Sequence, residues 1–290
     1  MKMLIEKAQP ATLASVLISK IEQGLAGERV CGSATGFHYR DSSGQPWLVT
    51  NWHVLTGRRP DDPGSLLKGY NDSPFAIDVT YTSERVGQYW PPHRMDLYQD
   101  GRPVWRQARL DIGLDLAAIK VEMPEGTMTP CIQDFCEIYE DLIEPGMTVA
   151  TIGYPFGQSD DWIMPIWKSG MIASEPGYLH LKQVQVLLDM PGAAGMSGAP
   201  VYVVREGLGV AADQYHAIRA SNLDRVDLSA LAAAKPKMGV RFVGVYSGST
   251  QLAALERLSL GRFSFASAVH ELVNGGGEEG ANPYPPSFRA

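Results

Sequence analysis

The chain has 290 residues, 44% hydrophobic and 20% charged, with 30 Gly and 20 Pro, enough to build a core without disulfide or metal staples. Its formal net charge of −7, from 25 Lys and Arg against 32 Asp and Glu, argues against the basic surface that a nucleic-acid partner needs. The glycine and proline content leans toward turn-rich β structure.

Taken in chain order, the first 24 residues carry Glu6 and a short apolar stretch at 11–18 broken by polar residues. This is neither a secretory h-region nor a membrane span, so a cytoplasmic chain with no membrane partner is expected. Leu13, Val16, Leu17 and Ile21 fall at helical spacing before Gly24, which predicts a helix over 10–24 in an N-terminal arm, 1–28. From residue 30 the period changes. GSATGF, a Ser-Ser-Gly turn at 42–44 and PWLVTNWHVL read as two strands of a hairpin.

Residues 56–107, rich in Pro, Asp, Arg and Tyr, read as loops decorating a sheet, and LDLAAIKVE at 114–122 as a buried strand. Residues 124–146, with their Pro-Glu-Gly and Glu-Pro-Gly turns, read as the connection between two halves. A second strand series follows: MTVATIGYP, PIWKSGMIAS, YLHLKQVQVLLD, SGAPVYVV and VRFVGVYSG, short and turn-separated as in a sandwich or barrel. Between 204 and 238 lies an insertion with a helix-like SALAAAK; beyond the strands only 265–273 reads as helical. The Gly-, Glu- and Pro-rich segment 275–290 predicts a flexible tail. Cys31, Cys131 and Cys136 are odd in number and lack CxxC spacing, which predicts reduced thiols and no metal site.

A serine attacks a carbonyl when a base takes its proton, a third group orients the base, and fixed donors meet the oxyanion. Each role has a candidate. Ser197 stands in GMSGAP, where the glycines allow a tight turn that aims the N–H groups of Gly195 and Ser197 into one concavity. His53 ends the strand LVTNWHV. Asp115 opens DLAAIKV, where a buried carboxylate needs a partner such as an imidazole. Asp111 is the rival acid, ranked lower because the apolar run begins at Leu114, and His38, His93, His180, His216 and His270 have no matching context.

The order His, Asp, Ser resembles the trypsin-like serine peptidases, and the local motifs resemble their bacterial HtrA (DegP-like) branch. VTNWHVL is similar to that branch's TN-x-HV motif, DLAAIKV to its DLA strand, EPGMTVATIGYPFG to the opening of its second barrel and LDMPGAAGMSGAPV to the loop of its nucleophile. The resemblance covers roughly residues 32–273. It implies an all-β, chymotrypsin-like fold: two six-stranded antiparallel β-barrels, here 29–125 and 126–274, with an N-terminal and a C-terminal helix. It further implies a catalytic triad of His53, Asp115 and Ser197, an oxyanion hole at Gly195 and Ser197, and hydrolysis of a protein or peptide substrate without a cofactor. Met196 and Ala199 depart from the usual residues beside the nucleophile, the His53-to-Asp115 spacing is long, and no PDZ module is expected.

By the same resemblance Asp189 lies two residues too far from Ser197 to be a floor carboxylate. The specificity pocket is expected from Met190, Ala193, Tyr246, Ser247, Gly248 and Ser249, which suits a small or medium aliphatic residue before the cut. Trp52, Tyr154 and Phe156 are expected to pack around the barrel ends. An unrestrained cytoplasmic peptidase would harm its host, so a narrow substrate range or an activating partner protein is expected, acting through the two insertions. A scaffold that has lost turnover, or an esterase on the same fold, stays open at this point.

Overall fold

The structure, a computed structural model, describes residues 8–82, 92–136, 143–157, 164–176, 185–208, 224, 226–229, 236–249 and 258–287. A short helix α1 (Pro10–Ala14), with its proline at the first turn, leads into β1 (Ser15–Gly24), β2 (Gly27–Arg40) and β3 (Pro46–Thr50). Helix α2 (Trp52–Thr56) follows, then a small hairpin of β4 (Arg58–Arg59) and β5 (Asp62–Leu66). Next come β6 (Ala76–Thr80), β7 (His93–Asp96), a second hairpin of β8 (Tyr98–Gln99) and β9 (Arg102–Pro103), then β10 (Arg106–Gln107) and β11 (Ala117–Lys120).

The second half contains β12 (Thr148–Gly153), β13 (Ile166–Ile172), β14 (Val186–Asp189), β15 (Pro200–Leu208), β16 (Pro236–Ser249) and β17 (Gly261–Phe265). These six close into a barrel in the order β12-β13-β14-β17-β16-β15, every pairing antiparallel. Helix α3 (Ala266–Glu271), prolonged by a π-helical turn over Leu272–Gly276, carries the chain back to the first half, where β18 (Glu278–Glu279) pairs with β10.

The fold is all-β with two sheet bodies, the chymotrypsin-like arrangement. The first body differs in detail: among the described residues it is an eight-stranded antiparallel sheet, ordered β18-β10-β11-β3-β2-β1-β6-β7, rather than a closed six-stranded barrel.

The helical N-terminal arm is corrected. Only Pro10–Ala14 is helical, and 15–24 is a strand between β2 and β6. Apolar residues at 13, 16, 17 and 21 satisfy a helical period, but a strand covered on both faces loses its alternation and mimics one. Val16, Leu17, Ile18 and Ile21 are all buried there. The flexible tail is corrected as well. Trp52 Nε1 donates to Ala281 O at 3.0 Å, Ala281 N to Gln107 Oε1 at 2.7 Å, and Ser287 N to Asp72 Oδ2 at 2.8 Å. The Arg58 guanidinium lies 4.8 Å from the centre of the Tyr284 ring. Composition foretells an unpaired backbone; partners more than 170 residues away supply the bonds.

Among the described residues three apolar clusters hold the molecule. Val16, Ile18, Leu48, Trp52 and Ile77 belong to the core of the first sheet, and Val149, Leu188, Val201 and Phe263 to that of the barrel. The third joins them: Phe37 and Tyr39 of β2 meet Tyr202 and Phe242 of the barrel, with Phe37 and Phe242 edge-on at 5.3 Å and Val269 of α3 beside them. Each buried aromatic contributes about 2 kcal/mol, so the two bodies are fixed against each other along this seam. Among the described residues no helix is long and apolar enough to cross a membrane. The insertion's ends extend the β15–β16 hairpin, while all of SALAAAK but Ser229 lies outside the described residues.

Candidate active site

Strands β3 and β11 pair with Thr50 opposite Ala117, which brings the residues just after β3 beside those just before β11. Asn51 is extended and buried; its Nδ2 donates to Asp115 O at 2.7 Å and to Ser247 Oγ at 3.3 Å. The chain then turns into α2, which ends at Gly57 with φ +67, a left-handed position where a Cβ would meet the Tyr70 ring at 2.7 Å. His53 therefore sits on the first turn of a helix too short to move independently of its strand. Asp115, 1% exposed, holds it at two points: the His53 N–H donates to Oδ1 at 3.0 Å, and Nδ1 lies 2.5 Å from Oδ2. A carboxylate so placed fixes both the ring's orientation and the tautomer with its proton on Nδ1.

The turn bearing Ser197 comes from the barrel and is clasped by β2. Thr35 N donates to Ser197 O at 2.9 Å, and Thr35 Oγ1 donates to Gly195 O at 2.8 Å while accepting from Tyr154 N at 3.0 Å. Gly198, at φ +84, lies so close to Thr35 O and Thr50 Oγ1 that a Cβ would collide with both. Gly195, at φ +90, is likewise pressed against Tyr154 O. Neither the Gly195 N–H nor the Ser197 N–H has an acceptor among the described residues. Met196 and Ala199, the residues that depart from the common pattern, are buried in the barrel core.

The turn and the histidine open on one cleft of about 530 Å³, lined by Ser197 and His53 together with Ser247, Gly248 and Ser249. The sequence profile of the trypsin-like peptidase domain matches residues 34–211. The chain belongs to the trypsin-like peptidase family. This peptidase is therefore a serine hydrolase. Among solved structures, the peptidase is similar to Deg5, at 13% identity over 95% of this chain and 96% of that one, with a TM-score of 0.50, a likeness of fold. It also matches an inactive mutant form of Rv3671c from M. tuberculosis H37Rv, at 14% identity over 91% and 86% of the two chains, with a TM-score of 0.44. No curated protein sequence matches it.

The structure of the peptidase brings together His53, Asp115, Ser197, Gly195, Ser247, Gly248 and Ser249. Met190 and Tyr246 are instead buried in the barrel core, with Ala193 packed against it, and none of the three lines the cleft. Their apolar character belongs to the barrel's interior rather than to a pocket wall. Asp189 is exposed at the end of β14, paired with Met171, and Asp111 is exposed with its carboxylate on Arg109, so neither competes with Asp115. Trp52 and Tyr154 are packed inside, but Phe156 is 70% exposed on the cleft, at φ +59, its N–H donating to Ala194 O at 2.5 Å. Among the described residues no three His, Cys, Asp or Glu side chains are grouped to hold a metal ion. Thr35 escapes sequence reasoning, since a Thr in a Gly-rich strand carries no chemical signature alone; Asn51 stands in the TN-x-HV resemblance with no role assigned to it.

Proposed function

We propose that the protein is an endopeptidase that cuts an intracellular protein substrate, with Ser197, His53 and Asp115 as its catalytic triad. The observation that carries this reading is the two-point hydrogen bonding of His53 by buried Asp115 in the cleft that Ser197 lines. Ser197 Oγ attacks the peptide carbonyl as His53 Nε2 takes its proton, and Asp115 stabilises the resulting imidazolium. The N–H groups of Gly195 and Ser197 receive the oxyanion; a fixed donor of this kind contributes about 10²–10³ in kcat. His53 then protonates the leaving amine, and a water activated by the same ring releases the acyl half from Ser197.

The acyl half adds as a strand along Ser247–Ser249. Pairing of β16 with β15 ends at Val245 opposite Pro200, and Tyr246 still bonds Gly198 and Ala199, which leaves the edge at Ser247–Ser249 without a neighbouring strand among the described residues. Ser249 Oγ crowds the Cα of Gly192, so the space beside the nucleophile admits a small residue before the cut. Cys31 and Cys131 are held in no disulfide among the described residues, which supports a reducing compartment.

Intact mass after fluorophosphonate treatment tests the triad. The parent gains one adduct and Ser197→Ala gains none; a folded parent that stays unlabelled refutes the reading.

A further inference from the structure

Lys20 of β1, Gly32 and Ser33 of β2, and Tyr70 line the same cleft as Ser197 and Ser247–Ser249; with the acyl half placed along Ser247–Ser249, they are left to the leaving half of a substrate. Thr35 touches the Ser197 turn, and Gly32 lies three residues back along β2, about 10 Å at strand rise. Gly32 is the cross-strand partner of Lys20. A Cβ on Gly32 would come within 3.3 Å of Lys20 Nζ and 3.6 Å of Tyr70 Oη, so the bare glycine leaves both residues just beneath the cleft they line.

Both groups lack an acceptor. Lys20 is 7% exposed, and its ammonium has no carboxylate or carbonyl partner among the described residues, only the Tyr70 ring at 5.1 Å. Tyr70 Oη is buried without a hydrogen bond. Among the described residues the acid whose charge acts on Tyr70, Glu22, is already held by Arg29 and by the N–H groups of Asn71 and Asp72. Burial lowers the Lys20 amine to about 8, which still leaves it charged at neutral pH, and keeps the Tyr70 phenol protonated. The site thus offers two unused donors, the Lys20 ammonium and the Tyr70 hydroxyl.

The rest of the cleft has the same sign. Lys20, Lys68 and Arg262 line it, and no Asp or Glu does among the described residues, in a protein whose net charge is −7. Low-dielectric walls carrying one sign of charge concentrate ligands of the other. Exposed Phe156 stands on this wall, where Gly157 packs on Ser33, and gives an extended peptide an apolar surface on its way to Lys20.

We propose that Lys20 Nζ and Tyr70 Oη form a subsite for a carboxylate on the second or third residue after the scissile bond. The carboxylate comes from an Asp or Glu side chain or from the substrate's own C-terminus. This rests on the peptidase reading, and the experiment separates the two. Fluorophosphonate titration, which needs no leaving peptide, counts active sites in the parent and in Lys20→Met; cleavage is expressed per titrated site. Cut positions are mapped by mass spectrometry in a peptide library made with free-acid and with amidated ends.

The expected result is an enrichment of carboxylates at the second or third position, with Glu preferred over Gln by about tenfold in kcat/KM for single peptides, and loss of that preference in Lys20→Met. Enrichment confined to free-acid peptides assigns the chain terminus; enrichment of internal Asp or Glu in both libraries assigns the side chain. The same contrast is read without turnover as the affinity of Ser197→Ala for Gly-Gly-Glu against Gly-Gly-Gln amide. A titratable enzyme with no carboxylate preference, or one whose preference survives Lys20→Met, overturns the subsite. Absence of titratable sites in the parent overturns the peptidase reading instead.

Discussion

Replacing Lys20 by Met tests the energetics of the donor-lined cleft directly. Lys20 is almost wholly buried without an anionic partner among the described residues, and burial lowers its amine from an ordinary 10.5 to about 8 in the folded protein. Below pH 8 the amine is charged in both folded and unfolded chains, and the folded chain carries the full desolvation cost, about 3 kcal/mol. As pH rises from 8 to 10.5 the folded protein releases this proton first, the unfolded chain binds more protons, and the cost disappears. Lys20→Met, of similar length and without the charge, is therefore expected to be more stable than the parent by about 3 kcal/mol at pH 7, or roughly 5 °C in Tm for a chain of this size. The advantage shrinks to nothing by pH 10.5. Cys31, pushed up to about 12 by burial, and Tyr70, raised further, do not titrate in the folded protein over that range, so the difference between the two proteins isolates Lys20. Thermal and urea unfolding of both, from pH 6.5 to 10.5, measure it. A variant less stable than the parent, or a difference that is flat in pH, refutes the unpartnered ammonium.

Three other substitutions probe the site. Asp115→Asn keeps the shape of the carboxylate but reverses its hydrogen-bond demand on His53 Nδ1, and kcat is expected to fall by about 10⁴ with little change in the fold; circular dichroism alongside peptide hydrolysis checks both halves of that statement. Thr35→Val leaves Gly195 O and Tyr154 N without their shared hydroxyl, at a cost of about 1–3 kcal/mol. Because that hydroxyl steadies the oxyanion turn, the fluorophosphonate labelling rate should drop even in the folded fraction; an unchanged rate would show that Ser197 is positioned by other bonds. Ser249→Gly removes the hydroxyl that crowds Gly192 and should shift preference before the cut from Ala toward Leu or Phe, as read by kcat/KM on matched peptides.

His53, Asp115, Gly195 and Ser197 were legible in the amino-acid sequence because their chemistry is local. Each stands in a short motif whose backbone constraints, a tight glycine turn or a strand end, are written in adjacent residues. The barrel strands were legible for the same reason, through β-branched runs separated by turns. What escaped depended on partners distant in the chain. Residues 15–24 carry a helical spacing, yet β2 and β6 cover both sides and make them a central strand. The polar C-terminal segment has no apolar signal, and side chains such as Trp52 and Arg58 dock it. Met190 and Tyr246, near the nucleophile in sequence, pack into the barrel core, since the fold around them rather than proximity in the chain decides which space a side chain fills. Sequence by itself thus determined the fold class and put forward the candidate reactive groups. Only the tertiary structure decided which surfaces meet them: the Thr35 clasp between the two bodies, and the bare Gly32 that leaves the buried amine of Lys20 just beneath the cleft. Neither residue has meaning until β1 and β2 are aligned, because the contacts that define them are long-range.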